Sequence, residues 1–179
     1  MEPTLHSRAN RFTLQWEGGY VNDPDDAGGA TNKGITWRVY NAWRKAKGLA
    51  IRSVRFITGE EVDQIYKRWY WEPAHCDEIA EKGGEKLAIA VYDFAVNSGV
   101  KRAIEYLQRT VGAADDGVWG PKTAKRVEGQ LLILGDRAVT TTYINRRESF
   151  FRAIAKGRNR KFLKGWLNRL NDLRDELEL

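Results

Sequence analysis

Between Glu85 and Gly99 the chain reads EKLAIAVYDFAVNSG, and this stretch constrains the fold more than any other. It has few polar residues, so a helix formed here has no solvent face of its own; the expectation is a central, buried helix closed by Gly99. Helical signals dominate the rest of the chain. Leu5, Ala9, Phe12 and Trp16 recur at helical spacing, and Gly18 and Gly19 stop that helix. Thr36 to Lys47 reads as helical and ends at Gly48. TGEEVDQIYKRWYWEP opens with Thr58 as N-cap and Glu61 as its capping-box partner, and ends before Pro73. Lys101 to Val111 continues as a helix. DDGVWGPKTAKRV reads as a turn followed by a helix with Pro121 in its first turn. Asp136 to Lys156 and Lys161 to Glu178 are the last two helices. Only Tyr20 to Ile35 departs from this pattern. It is rich in Gly, Asp, Asn and Pro with β-prone ends, and predicts a small hairpin-like loop region.

The 179 residues suffice for one compact core without a staple, and a hydrophobic content of 42% excludes general disorder. No repeat or linker divides the chain, so it reads as one mainly helical unit with a softly separated C-terminal half from Gly112. The formal charge is +6, concentrated between Arg146 and Arg169, where nine Lys/Arg face the single acid Glu148. Such a run suits an anionic partner (nucleic acid, membrane surface or cell wall) or is simply a solvated helix face. Cys76 is the lone cysteine, which rules out a disulfide and reads as a small buried hydrophobe; the histidines are His6 and His75. MEPTLHSRANRF has no apolar run and nowhere do about eighteen apolar residues follow one another, so the expectation is synthesis in the cytoplasm without a signal peptide or membrane insertion. No zinc-type cluster, P-loop, G-x-S-x-G or G-x-G-x-x-G occurs, so neither metal nor nucleotide cofactor is expected.

The chemistry is concentrated in LQWEGGYVNDPDDAGGATNKGIT. Glu17 falls where the first helix should end, at the negative end of its dipole and between Trp16 and Tyr20; dipole and desolvation together favour the protonated carboxyl that a general acid needs. Asp26, nine residues on, lies in a polar, glycine-rich loop that favours the ionised form. Two carboxylates in contrasting surroundings are what glycoside hydrolysis uses, one protonating the leaving oxygen and one directing water or stabilising positive charge. Asp23 and Asp25 are rivals for the second role, although Asp23 precedes Pro24 and suits a turn hydrogen bond, and Asp25 suits solvent.

Three blocks, EGGYVNDPDDAGGATNKGIT, VYDFAVNSG and LQRTVGAADDGVWGPKT, closely resemble the glycoside hydrolase family 108 endolysins, which are phage and prophage N-acetylmuramidases. The last block, with KFLKGWLNRL, is similar to that family's C-terminal predicted peptidoglycan-binding region. The resemblance covers nearly the whole chain. It implies a mainly α, lysozyme-like domain with a small β-hairpin after the first helix, a catalytic region over residues 1–111 and a peptidoglycan-binding region over 112–179 packed on it. It further implies Glu17 as catalytic glutamate, while the order Glu17, Asp26, Thr31 resembles phage-type lysozymes in which the threonine helps hold water. The implied substrate is bacterial peptidoglycan, cut at the β-1,4 bond between N-acetylmuramic acid and N-acetylglucosamine by a monomer released to the wall with a holin's help. The basic C-terminal face would then keep the enzyme near anionic wall polymers.

Other residues carry two readings. Asn97 and Ser98 serve as a helix C-cap and, by the resemblance, line the cleft. Tyr20, beside Glu17, is assigned to substrate. Tyr92 and Asp93 on the apolar helix suggest a buried Tyr–Asp hydrogen bond. Trp69, Tyr70 and Trp71 are consecutive and cannot all face inward on one helix, so sugar stacking is expected of one of them, assigned to Trp71. Three rival functions remain: a lytic transglycosylase using Glu17 alone, a non-catalytic wall-binding or secretion-assisting module, and a nucleic-acid-binding protein. The last lacks a reading motif and leaves the Glu17 loop unexplained.

Overall fold

The computed structural model describes residues 3–22 and 29–179. Helix α1 (Leu5–Leu14) starts at Thr4, whose hydroxyl accepts from Ser7 N at 3.1 Å. A hairpin of β1 (Thr31–Asn32) and β2 (Ile35–Thr36) follows, with Thr31 opposite Thr36 and Val21 bridged to Thr31. Its turn residues, Lys33 and Gly34, have φ of 49° and 72°, the left-handed pair that matches the twist of a two-residue hairpin. Then come α2 (Trp37–Ala46), a 3-10 turn at Val54–Phe56, and α3 (Gly59–Tyr66). Helix α3 begins with the expected capping box: Thr58 Oγ1 accepts from Glu61 N and Glu61 Oε2 accepts from Thr58 N. A π-helical turn at Lys67–Trp71 leads to α4 (Cys76–Glu81), α5 (Glu85–Ser98) and α6 (Val100–Val111). The chain ends with α7 (Pro121–Ile154), a 3-10 segment at Gly157–Phe162, and α8 (Leu163–Glu176).

Helix α5 is the axis of the molecule. Leu87 through Ala95 are all buried, and α1, α4, α6, α7 and the π-helical turn pack around them. Each large apolar side chain withdrawn from water here contributes roughly 1.5–3 kcal/mol, and the same core cluster includes Ala9, Tyr40, Leu107, Val139, Phe151 and Leu173, so it runs from α1 to α8.

Two expectations change. The first helix stops at Leu14, before the glycines; Trp16 N and Glu17 N bond back three residues, to Thr13 O and Leu14 O, so Glu17 sits in a tightened turn beyond the helix. The second concerns Trp71. Glu72 N bonds to Lys67 O, five residues back, and this extra residue per turn sets Trp71 one wide turn after Tyr66, on the buried side. Trp71 is fully buried, edge-on to His6 and Tyr92, with its indole N–H donated to Asp77 at 2.8 Å. It therefore has no face free for a sugar, and Trp69 is the exposed member of the triplet.

Helix α7 is broken at Gly135, whose φ of 78° and ψ of 159° no helix accommodates. The break delivers Asp136 to the start of α5, where its carboxylate accepts from Lys86 N at 2.7 Å and Leu87 N at 3.0 Å. Gly84, the N-cap of α5, has no side chain to do this, so the cap comes from a residue 50 positions beyond Lys86. Asp136→Ala should lower the unfolding free energy by about 1–2 kcal/mol, as loss of an N-cap does, measured by urea titration; an unchanged midpoint would show that water replaces the cap.

Candidate active site

Glu17 stands where four elements meet. The β1–β2 turn brings Gly34 so close that a methyl group there would lie 3.1 Å from Glu17 Oε2 and 2.7 Å from the Tyr66 hydroxyl. Tyr66, from the end of α3, donates to Lys33 O at 2.7 Å, which pins the hairpin turn over the carboxylate. Burial, reinforced by the negative charge of Glu17, pushes the phenols of Tyr66 and Tyr70 upward, so both stay protonated as donors at neutral pH. From the far end of the chain, α8 contributes Arg169, whose Nη1 lies 3.3 Å from Glu17 Oε1. The Glu17 side chain keeps 22% of its surface exposed, so it is partly enclosed yet still reachable from solvent.

Behind Arg169 lies a buried ion cluster that sequence reasoning missed. Asp93 accepts from Arg169 Nη2 at 2.7 Å, from Arg147 Nη2 at 2.8 Å and from Thr13 Oγ1 at 3.0 Å, and its side chain is wholly enclosed. Burial alone would raise its carboxyl, but Arg169 and Arg147 outweigh that and hold it below the ordinary range. The expected Tyr92–Asp93 bond does not form: neighbours on a helix point about 100° apart, and Tyr92 donates to Asn10 at 2.7 Å instead. Arg147 lies over the Phe94 ring at 4.6 Å and is fully buried. Two of the nine cations read as a wall-facing surface are thus interior, whereas Arg146, Arg152, Lys156, Arg158, Arg160, Lys161 and Lys164 are exposed. The signal for the cluster was present in the sequence, since a lone Asp inside an apolar helix must find a cation.

The remaining predicted residues fall as follows. Thr31, on β1, bonds both ways with the backbone of Val21 and directs its hydroxyl to Gly29 O at 3.4 Å, which places Tyr20 and Thr31 on neighbouring backbone near the hairpin. Tyr20 is exposed, with the Arg55 guanidinium 5.7 Å from its ring centre. Asn97 and Ser98 end α5, bonded to each other at 2.8 Å, and Gly99 with φ of 94° turns the chain into α6. Asn97 lies one turn beyond Asp93 on the same helix face. Asp26, like Asp23 and Asp25, lies outside the described residues. Cys76 is buried and its thiol is pushed well up, which suits packing rather than nucleophilic attack. Among the described residues no group of three or more His, Cys, Asp or Glu could hold a metal, and no helix is long and apolar enough to cross a membrane. A cleft of about 870 Å³ opens in the C-terminal region, lined by Gln108, Val118, Lys122, Arg126 and Ile133, away from Glu17.

A mainly helical scaffold with a short hairpin folded over a partly exposed glutamate just beyond the first helix is the lysozyme-like architecture. The chain belongs to the family described as Glycosyl hydrolase 108, whose model matches residues 10–99, while residues 102–171 match the model described as Predicted Peptidoglycan domain. It is also similar to the solved structure of Brucella abortus SagA, with 30% identity and a TM-score of 0.72 over 96% of this chain and 92% of that one. No curated protein matches the chain. Together these matches support a glycoside hydrolase acting on peptidoglycan.

Because Gly34 is squeezed between Glu17 and Tyr66, its substitution separates activity from folding. Gly34→Ala should lower turnover of cell walls by at least about tenfold, since a misplacement of 1 Å can cost 10²-fold. Circular dichroism should stay native. Wild-type turnover in a folded variant would show that the hairpin turn does not set the carboxyl.

Proposed function

We propose that the protein is a lysozyme-type muramidase that cleaves the β-1,4 bond between N-acetylmuramic acid and N-acetylglucosamine, with Glu17 as general acid. The observation that supports this most is the setting of Glu17: a carboxyl reachable from solvent yet partly enclosed by Tyr66, Tyr70, the hairpin turn and Arg169. A proton donor for a glycosidic oxygen needs such a pocket, fixed in position yet reachable by a polymer. In the proposed reaction Glu17 gives its proton to the leaving oxygen as the C–O bond breaks. Positive charge develops on the muramic acid ring, and water attacks the same anomeric carbon. Asp26 is the carboxylate proposed to direct that water or stabilise the cationic ring, with Thr31 helping to hold it. Tyr20, Asn97 and Ser98 are the proposed saccharide contacts.

The competing reading is a lytic transglycosylase, in which a hydroxyl of the sugar itself replaces water and Asp26 is dispensable. Digestion of purified peptidoglycan followed by mass spectrometry separates the two. Hydrolysis leaves reducing muramic acid ends, and transglycosylation leaves anhydro ends. Glu17→Gln, which removes a proton and almost no volume, should reduce product formation by about 10²–10⁴-fold with an unchanged melting curve. Asp26→Asn should be comparably inactive on walls while still binding oligosaccharide. Anhydro products, or an active Asp26→Asn enzyme, would overturn the hydrolytic mechanism; a fully active Glu17→Gln enzyme would overturn the site.

A further inference from the structure

Arg169 makes more contacts than a structural tie needs. Its Nε lies 3.1 and 3.3 Å from the two oxygens of Asp93 and its Nη2 lies 2.7 Å from Oδ1, so two of its three nitrogens are committed to one buried carboxylate. A guanidinium is planar, and fixing two nitrogens fixes the direction of the third. That third nitrogen, Nη1, faces Glu17 Oε1 at 3.3 Å. Asp93 is itself immobilised by Arg147 from α7 and by Thr13, which lies on α1 four residues before Glu17. One buried acid therefore fixes both the end of the helix that leads to Glu17 and the cation that faces it. Two guanidiniums against one buried carboxylate leave the cluster with one net positive charge, and Arg169 is the member of the cluster that also reaches Glu17. The Nη1 to Oε1 distance exceeds the 2.7–2.9 Å typical of a tight charge-assisted bond, so the contact orients the glutamate without clamping it away from a substrate oxygen.

We propose that Arg169 is a positioning residue of the active site, aimed at Glu17 by the buried Asp93–Arg147 pair, so that helix α8 of the C-terminal region completes the catalytic site of the N-terminal one. This rests on the reading of Glu17 as general acid. Among the described residues, the charged and titratable groups facing Glu17 are the phenols of Tyr66 and Tyr70 and the guanidinium of Arg169, with Asp93 and Arg147 behind it. Arg169 is the cation among them that touches it. Its loss leaves the Glu17 carboxyl without the group that orients it, a defect that falls on turnover rather than on saccharide binding.

The test uses the full-length protein and a soluble muropeptide oligomer, with kcat and KM measured for wild type, Arg169→Gln, Arg169→Lys and Glu17→Gln. For Arg169→Gln the expected result is a fall in kcat of about 10–100-fold with little change in KM. Arg169→Lys keeps the charge but not the planar fork, so kcat should remain depressed with KM near that of wild type. A folded Arg169→Gln enzyme with wild-type kcat overturns the proposal. Should Arg169→Gln not fold, the decision passes to melting temperatures of Arg169→Lys in the wild-type and Glu17→Gln backgrounds. A smaller loss in the Glu17→Gln background supports the contact, and equal losses overturn it. Full activity of Glu17→Gln alone would instead reject Glu17 as the acid, an outcome distinct from any result at Arg169.

Discussion

Asp93 sits fully enclosed in the middle of an apolar helix, and that burial is the constraint around which the molecule is arranged. An unpaired carboxylate there would cost several kcal/mol in lost hydration. Two guanidiniums and a hydroxyl satisfy it, drawn from α7, α8 and α1, so three helices are committed to one point on α5. Such a cluster is a poor source of net stability, since its desolvation consumes most of the Coulombic gain. What it supplies is register. Sliding α8 by a turn would leave Asp93 with two of its three partners and Glu17 without the guanidinium of Arg169. Because Asp93 is held below the ordinary carboxyl range, its share of folding stability is present above that range and is lost as pH falls through its depressed value.

From this point the local devices follow in order. The turn after α1 places Glu17 just beyond the helix, the left-handed Lys33–Gly34 pair folds the hairpin back over it, and Tyr66 fastens that turn by its bond to Lys33 O. Gly34 is required twice, for its positive φ and for the absence of a side chain beside Glu17 and Tyr66. On the opposite side of α5, the break at Gly135 lets Asp136 cap the helix that carries Asp93. The C-terminal region therefore contributes to the glutamate site in two ways, indirectly through the cap of α5 and directly through Arg169.

Much of this was legible in the sequence because it is local. The apolar run from Leu87 to Ala95 announced a buried helix, Thr58 and Glu61 announced a capping box, the Gly- and Asn-rich tract announced a hairpin, and Glu17 stood out by its position at the end of an amphipathic stripe. What was hidden is non-local or depends on helix geometry that spacing does not reveal. Arg169 meets Glu17 across 152 residues, and nothing in a basic run distinguishes the two arginines that turn inward from the seven that face water. Trp71 is one of three consecutive aromatics that cannot all face inward, and their order does not say which is free for a sugar; the π-helical turn inserts one residue and carries Trp71 into the core. Asp93 was assigned to Tyr92 because neighbours in sequence were treated as neighbours in space, although on a helix they diverge.

The central claim is that the carboxyl at position 17 delivers the proton to the glycosidic oxygen. Its most direct test is a crystal structure of the inactive Glu17→Gln protein with a muropeptide spanning the site. The account predicts the scissile oxygen within hydrogen-bond reach of the side chain at position 17, about 2.6–3.2 Å, on its solvent-open side and away from Arg169. A saccharide bound productively with that oxygen against a different carboxylate, and the side chain at position 17 out of reach, would contradict it.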